Sequence, residues 1–402
     1  MKHLFALTIL FLILLSSAWS QGQTAWRGGT NGVYTAEGLL PSWPESGPEI
    51  AWVFEGLGEG HSSPVLALGH IFVSTMIGAD GYIVLLTRDG KEVKRYVYGP
   101  EYTESYPGSR STPVISGGWL YIYSGLGVIY AFDAMEGKLR WSRDMLKETD
   151  GKNIQWGVTE TLALDGDVLY CSPGGKKENV VALNRLNGQT IWTSAGVGDL
   201  SAYCTPLVVQ HGSRKLLVTM MASHIQGIDA KSGEFLWSYE QPNQWSVHAN
   251  TPIYTDNALI CTSGYGQGTV RLNVSPDGSS VEKAWFNSLF DNRIGGVVYL
   301  DGYLYASGDK NRGWRCLDAK TGEEKWYSNE LANGVVIAAD GLLFLYTERG
   351  ELALAKASPD GLILTGKTKV EYGTAQHWAH PVIDQGILYL HHGKALIAYK
   401  IK

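Results

Sequence analysis

The stretch ALNRLNGQTIW, residues 182–192, recurs without gaps as AFDAMEGKLRW (131–141), GIDAKSGEFLW (227–237) and CLDAKTGEEKW (316–326). Each copy ends in Trp ten residues after it starts and carries Gly four residues before that Trp. Two further copies are altered: LNVSPDGSSVEKAW (272–285) has an insertion, and LLTRDGKEVKRY (85–96) places Tyr96 where the others have Trp. The Trp residues at 141, 192, 237, 285 and 326 are 51, 45, 48 and 41 residues apart, which is the period of a propeller blade. Asp or Asn followed by Gly three to five residues later marks a tight turn, and the flanking residues are β-formers in short alternating runs. Each copy therefore reads as the outer hairpin of a small antiparallel sheet.

Upstream of the repeats lies a second class of turn: LGHIF, SGGWL, DGDVL, HGSRKLL, DNALI, DGYLY, DGLLF and QGILY. Eight such turns predict eight blades of four strands, an all-β propeller. The last repeat, HPVIDQGILYLHHGKALIAYKIK, stops after three strands, and PEIAWVFEG (48–56) supplies an outer-strand pattern with Trp52 in the docking position. Pairing this strand with the final blade closes the ring and removes its open edges. Trp52, Trp141, Trp192, Trp237, Trp285 and Trp326 are then packing residues. On this reading, deleting 48–56 is severe and deleting 21–40 mild.

The N-terminus carries Lys2, an apolar run from Leu4 to Leu15, and Ala18-Trp19-Ser20 before Gln21. This pattern predicts a signal peptide over 1–20, too short for a membrane span, and a single propeller domain over 21–402. No Leu-x-x-Cys follows the apolar run, so the expected product is periplasmic or secreted, without a lipid anchor or a membrane span. The chain has 33 basic and 39 acidic residues, with no basic stripe for nucleic acid. Its four cysteines, Cys171, Cys204, Cys261 and Cys316, are widely separated and show no zinc spacing; buried free thiols are expected.

Several inner strands are announced by a Pro: GHSSPVL (60–66), SRSTPVI (109–115), SAYCTPLV (201–208), QWSVHANTPIY (244–254) and HWAHPVI (377–383). In a propeller these approach loops converge on one mouth of the central channel. The convergence brings together His61, Arg110, Trp156 with Glu160, Tyr203, His248 with Asn250, Asn292 with Arg293, Asn333, and His377 with Trp378 and His380. Counted from the Pro or its equivalent, His61, Arg110, Tyr203, Glu160 and His380 fall at odd offsets and share one strand face. His248, Asn250 and His377 fall at even offsets. His61, Glu160, Tyr203 and His380 are the candidate acid, base and proton-donor groups. Arg110, Trp156, His248, Asn250, Arg293, Asn333, His377 and Trp378 are the candidate ligand-binding groups. A small polar or anionic molecule, carbohydrate-derived among the candidates, suits this set. His391-His392 is expected to be solvated near a hairpin turn. No G-x-S-x-G, H-E-x-x-H, phosphate loop or EF-hand sequence occurs, and no metal site is assigned.

The A-x-D-x-x-T/S-G-x-x-x-W repeats resemble those of the pyrroloquinoline-quinone (PQQ)-like propeller superfamily, whose members include quinoprotein alcohol dehydrogenases and the outer-membrane assembly protein BamB. The resemblance covers nearly the whole of the expected mature chain, and its opening residues look like those of exported BamB-like proteins. It implies two further possibilities for function: a non-catalytic scaffold that docks a protein partner on its rim, or a PQQ- and calcium-dependent dehydrogenase. For the latter, Glu160, Asn250 and Asp291 are the available calcium ligands and Arg293 the group near the quinone. The lack of adjacent cysteines and the short chain weigh against bound PQQ and calcium.

Overall fold

Alternating apolar residues between Gly-bearing turns leave each blade with two faces to bury, and the structure, a computed structural model describing residues 25–29 and 31–402, satisfies this with eight sheets in a ring. The expected signal peptide lies outside the described residues. Seven blades are built from four consecutive strands in the order inner to outer; the third, for example, runs Ala163–Asp165, Val168–Cys171, Val180–Asn184 and Thr190–Ser194. The eighth blade takes three strands from the C-terminus and its outer strand, Ile50–Phe54, from the N-terminal side, antiparallel to Ala395–Lys400. The ring is therefore closed as the truncated last repeat predicts. Helix among the described residues is limited to Met145–Glu148 and one 3-10 turn at Trp26–Gly28.

The repeat glycine and tryptophan owe their spacing to a contact between neighbouring blades. Trp141 of the second blade donates its indole N–H to Arg185 O of the third (2.9 Å), and its ring lies against Gly188, where a Cβ would stand 2.8 Å from it. Gly188 also has φ +70°, so the turn requires glycine twice over, once for its backbone and once for the neighbour's ring. Trp192, Trp237, Trp285 and Trp326 each donate in the same way to the next blade. Trp52 donates to Arg88 O, and Tyr96 substitutes through its hydroxyl on Ala134 O. The core fills the spaces between blades with Val, Leu and Ile from the middle strands. All four cysteines are buried there and free.

The N-terminal residues have a place that the repeat pattern does not reveal. Val33–Tyr34 adds a fifth, parallel strand to the inner strand Gly334–Ala339 of the seventh blade, so residues 25–29 and 31–34 run inside the central channel.

Candidate functional site

Seven approach loops align on the first paired residue of the inner strand, Val65 and its equivalents; in the seventh blade, whose inner strand starts three residues earlier at Gly334, the equivalent is Ile337. Strand alternation then gives three successive positions different surroundings. Four residues back, His61, Arg110, Thr159, Tyr203, Ala249, Ile294 and Trp378 line a cavity of about 280 Å³ at the channel mouth. Three residues back, Ser62, Ser111, Glu160, Cys204 and Asn250 are buried between blades. Two residues back, hydroxyls form a belt. Ser63 N–H donates to Thr112 Oγ1 (3.1 Å), Thr112 N–H to Thr161 Oγ1 (3.3 Å) and Thr161 N–H to Thr205 Oγ1 (3.3 Å), while Thr251 Oγ1 donates to Thr205 O (3.0 Å).

Seven of the expected site residues meet at this cavity: His61, Arg110, Trp156, Tyr203, Arg293, Trp378 and His380. His61 is buried with both ring nitrogens unpartnered; the backbone of Gln376 lies alongside but out of hydrogen-bond geometry. Burial, then the Arg110 charge, lower its pKa to about 3, so the ring is neutral and offers one donor and one acceptor. Its ring packs 5.1 Å from Trp378. Arg110 donates to Trp156 O, to Ser105 O at 2.5 Å and to Tyr106 O at 2.7 Å, while its Nε is buried and unpartnered. Among the described residues no carboxylate lies within ion-pair distance of it. Arg293 differs, being paired with Asp309 (3.1 Å) and Glu348 (2.7 Å). Tyr203 accepts from Trp156 N–H at 3.2 Å, and burial raises its pKa. His380 has both nitrogens engaged, with Ile294 O at 2.9 Å and the Arg27 guanidinium at 2.7 Å. Burial and then Arg27 hold it neutral, its pKa well below the usual imidazole value.

The remaining expected residues lie elsewhere. Glu160 is fully buried between blades, both carboxyl oxygens 3.1 Å from Ser172 N. Its blade has Leu162 where five others have Pro, and the hairpin register puts Glu160 level with Ser111, one residue off the cavity-facing position. His248 is buried with Nε2 near Ala222 O at 3.3 Å, and Asn250 donates to Asn292 O at 2.8 Å. Asn333 accepts from Gly313 N at 3.2 Å. His377 stacks on His392 at 3.9 Å with Tyr346 Oη 2.5 Å from its Nδ1. The expected solvation of His391-His392 is corrected: both are buried, each between two backbone carbonyls. The candidate calcium ligands do not converge on one point. Glu160 faces the blade interior, and the Asp291 carboxylate accepts backbone N–H from Gly266, Asp309, Lys310 and Asn311. These residues do not fit a calcium–PQQ site.

Sequence reasoning missed Trp26, Tyr106 and Tyr265 in the cavity wall. Tyr106 lies four residues before Arg110 in the same loop, so an aromatic residue close ahead of a mouth residue was the available signal.

Glu160 carries a stability prediction. Burial raises its pKa well above the ordinary carboxyl value, the Ser172 N–H opposing only in part. A carboxyl whose folded pKa exceeds its unfolded pKa contributes no penalty below the unfolded value. Above it, folding must keep the proton, which costs about 1.4 kcal/mol per pH unit until the folded pKa is reached. Glu160→Gln keeps an acceptor for Ser172 and removes the titration. The variant should gain on the wild type in urea unfolding as pH rises from 5 to 8, the two converging toward pH 4.5. A constant difference across that range would contradict a protonated Glu160.

The PQQ-repeat family described as outer membrane protein assembly factor BamB matches residues 79–328. The chain is 28% identical to BamB of Kangiella koreensis over 39% of its length and 35% of that protein, and 24% identical to BamB of Salmonella typhimurium over 50% and 47%. It thus spans between a third and a half of these relatives. Among solved structures, BamB from Moraxella catarrhalis superposes with a TM-score of 0.63 at 13% identity, covering 88% of this chain and 98% of that one. A europium-containing methanol dehydrogenase gives 0.67 at 14% identity, covering 93% and 90%. At these identities the structures show a common fold. The repeats, the eight closed blades and a match across most of the ring establish that the chain belongs to the PQQ-like β-propeller family described as outer membrane protein assembly factor BamB.

Proposed function

We propose that this propeller is an exported binding protein that takes a small, ring-bearing polar or anionic molecule, such as a carbohydrate-derived acid, into the mouth cavity. One observation carries the reading: His61 and Arg110 stand in a wall of Trp and Tyr rings, and both His61 ring nitrogens and the Arg110 Nε–H are buried without partners. Buried polar groups left without partners are costly, and a ligand carrying an acceptor and a ring would satisfy both these groups and the aromatic faces. The arrangement favours binding over turnover. Glu160 is outside the cavity, and His380 has no free nitrogen with which to move a proton.

The test is thermal melting with 4-nitrophenyl β-D-glucuronide, glucuronate, galacturonate and neutral sugars. The anionic aryl glycoside should raise Tm in a concentration-dependent way. Silence across the whole panel would remove the reading.

A second reading is a scaffold that docks a protein partner, as the assembly-factor name of the relatives implies for them. Tyr106 and Trp245 favour it, since they are 46% and 45% exposed at the cavity rim, packed on Trp378 and Trp156. Exposed aromatic residues around a concave centre are common at protein interfaces. Loss of partner capture in Trp245→Ala, with no small molecule shifting Tm, would put this reading first.

A further inference from the structure

The hydroxyl belt around the channel stops after the fifth blade, where Gly296 and Val335 replace Ser or Thr in the sixth and seventh blades and His380 in the eighth. Arg27 occupies that gap. Its guanidinium donates to Val297 O (2.6 Å) in the sixth blade and Val336 O (3.1 Å) in the seventh, and lies 2.7 Å from His380 Nδ1 in the eighth. Because His380 Nε2 donates to Ile294 O, its Nδ1 carries the lone pair that receives Arg27. A fourth bond goes to Asn31 O at 3.2 Å. The side chain is 1% exposed, and among the described residues no carboxylate pairs with it. A planar fork with five donors suits three blades at once, as an ammonium would not.

The residue placed by this contact is Trp26. Its ring meets His380 edge-on at 5.1 Å and lies 3.0 Å from where a Cβ on Gly295 would stand. Trp26 lines the mouth cavity on one side. On the other, with Ala25 and Gly29, it bounds a second cavity of about 330 Å³ walled by inner-strand residues of the second to fourth blades. The indole is thus a partition across the channel and one face of the cavity that the proposed ligand enters. Gly32 makes room for the arrangement, since a Cβ there would lie 2.4 Å from the Arg27 guanidinium.

We propose that Trp26 is a ligand-contacting residue and Arg27 its positioning residue, so that the N-terminal segment is the floor of the site, and occupancy of the cavity and seating of the segment stabilise each other. The contact with ligand rests on the binding reading above; the seating of Trp26 by Arg27 does not.

The test uses the full chain purified after export and labelled with 5-fluorotryptophan, the Trp26 19F resonance being assigned by its loss in Trp26→Phe. Without ligand, Arg27→Met should move that resonance to the position of an exposed indole and speed amide exchange across residues 25–34 at least tenfold, while blade amides keep their protection. Gly32→Ala, a milder change, should do the same in part, and Arg27→Lys should recover only part of the protection. With 4-nitrophenyl β-D-glucuronide as probe, the wild-type Trp26 resonance should shift on saturation, exchange across 25–34 should slow, and Trp26→Ala should bind at least tenfold more weakly. Wild-type resonance and protection in Arg27→Met would overturn the positioning role. Wild-type probe affinity in Trp26→Ala would overturn the contact. A probe that fails to bind the wild type removes the binding reading and the contact with it, leaving Arg27 to be decided by the ligand-free measurements.

Discussion

Deleting residues 48–56 should leave the eighth blade with three strands and cost several kcal/mol of stability. Ile50–Phe54 pairs along Ala395–Lys400, and Trp52 contributes more than pairing. Its indole N–H donates to Arg88 O at 3.0 Å, its ring approaches Tyr389 at 6.0 Å, and a Cβ on Gly90 would stand 2.6 Å from it. Truncating a buried Trp alone costs about 3–5 kcal/mol; partial exposure of Trp52 places the point variant Trp52→Ala toward the lower end. The deletion adds the lost strand hydrogen bonds and leaves Ala395–Lys400, an apolar strand, as an open edge. Such an edge recruits other chains, so the deletion variant should also associate. Urea unfolding and size-exclusion chromatography measure the two effects. Wild-type stability in a monomeric deletion variant would remove the closure argument.

The sequence expectation that deleting 21–40 is mild has lost its basis. Arg27 bonds to three blades and Val33–Tyr34 adds a strand to the seventh, neither of which follows from a repeat pattern.

Fold and site were legible to different depths for the same physical reason. The Gly and Trp spacing reports a contact repeated at every blade junction, so each copy reinforces the others, and eight blades with strand exchange at the ends follow from counting. Mouth residues do not repeat. They become comparable only through strand register, and a one-residue slip turns a side chain to the other face. His61, Arg110 and Tyr203 were placed on the cavity wall because a Pro fixed their register. Glu160 had Leu162 in place of that Pro and was assigned one residue off. Trp26 and Arg27 lie outside the repeats altogether, and their position in the channel is a tertiary fact with no periodic signature.

Replacing Arg110 should weaken anion binding by about 2–5 kcal/mol, the usual effect of truncating one member of a desolvated charged contact. Its geometry demands a control, because the same guanidinium donates to backbone carbonyls of residues 105, 106 and 156, and so also holds two approach loops. Losing those bonds costs on the order of 1–3 kcal/mol of loop or global stability, which an affinity measurement alone would mistake for lost ligand contact. The two contributions separate with a pair of probes that differ only in charge. In Arg110→Met, 4-nitrophenyl β-D-glucuronide should lose roughly thirtyfold or more in affinity, whereas the neutral 4-nitrophenyl β-D-glucoside should lose less than about tenfold, since it gives up only loop positioning. Calorimetric titration of both probes into both proteins, beside urea unfolding, closes the comparison. Equal losses for the two glycosides would mean that Arg110 acts only through the loops, and the cavity would then lack the unpaired charge on which anion recognition depends.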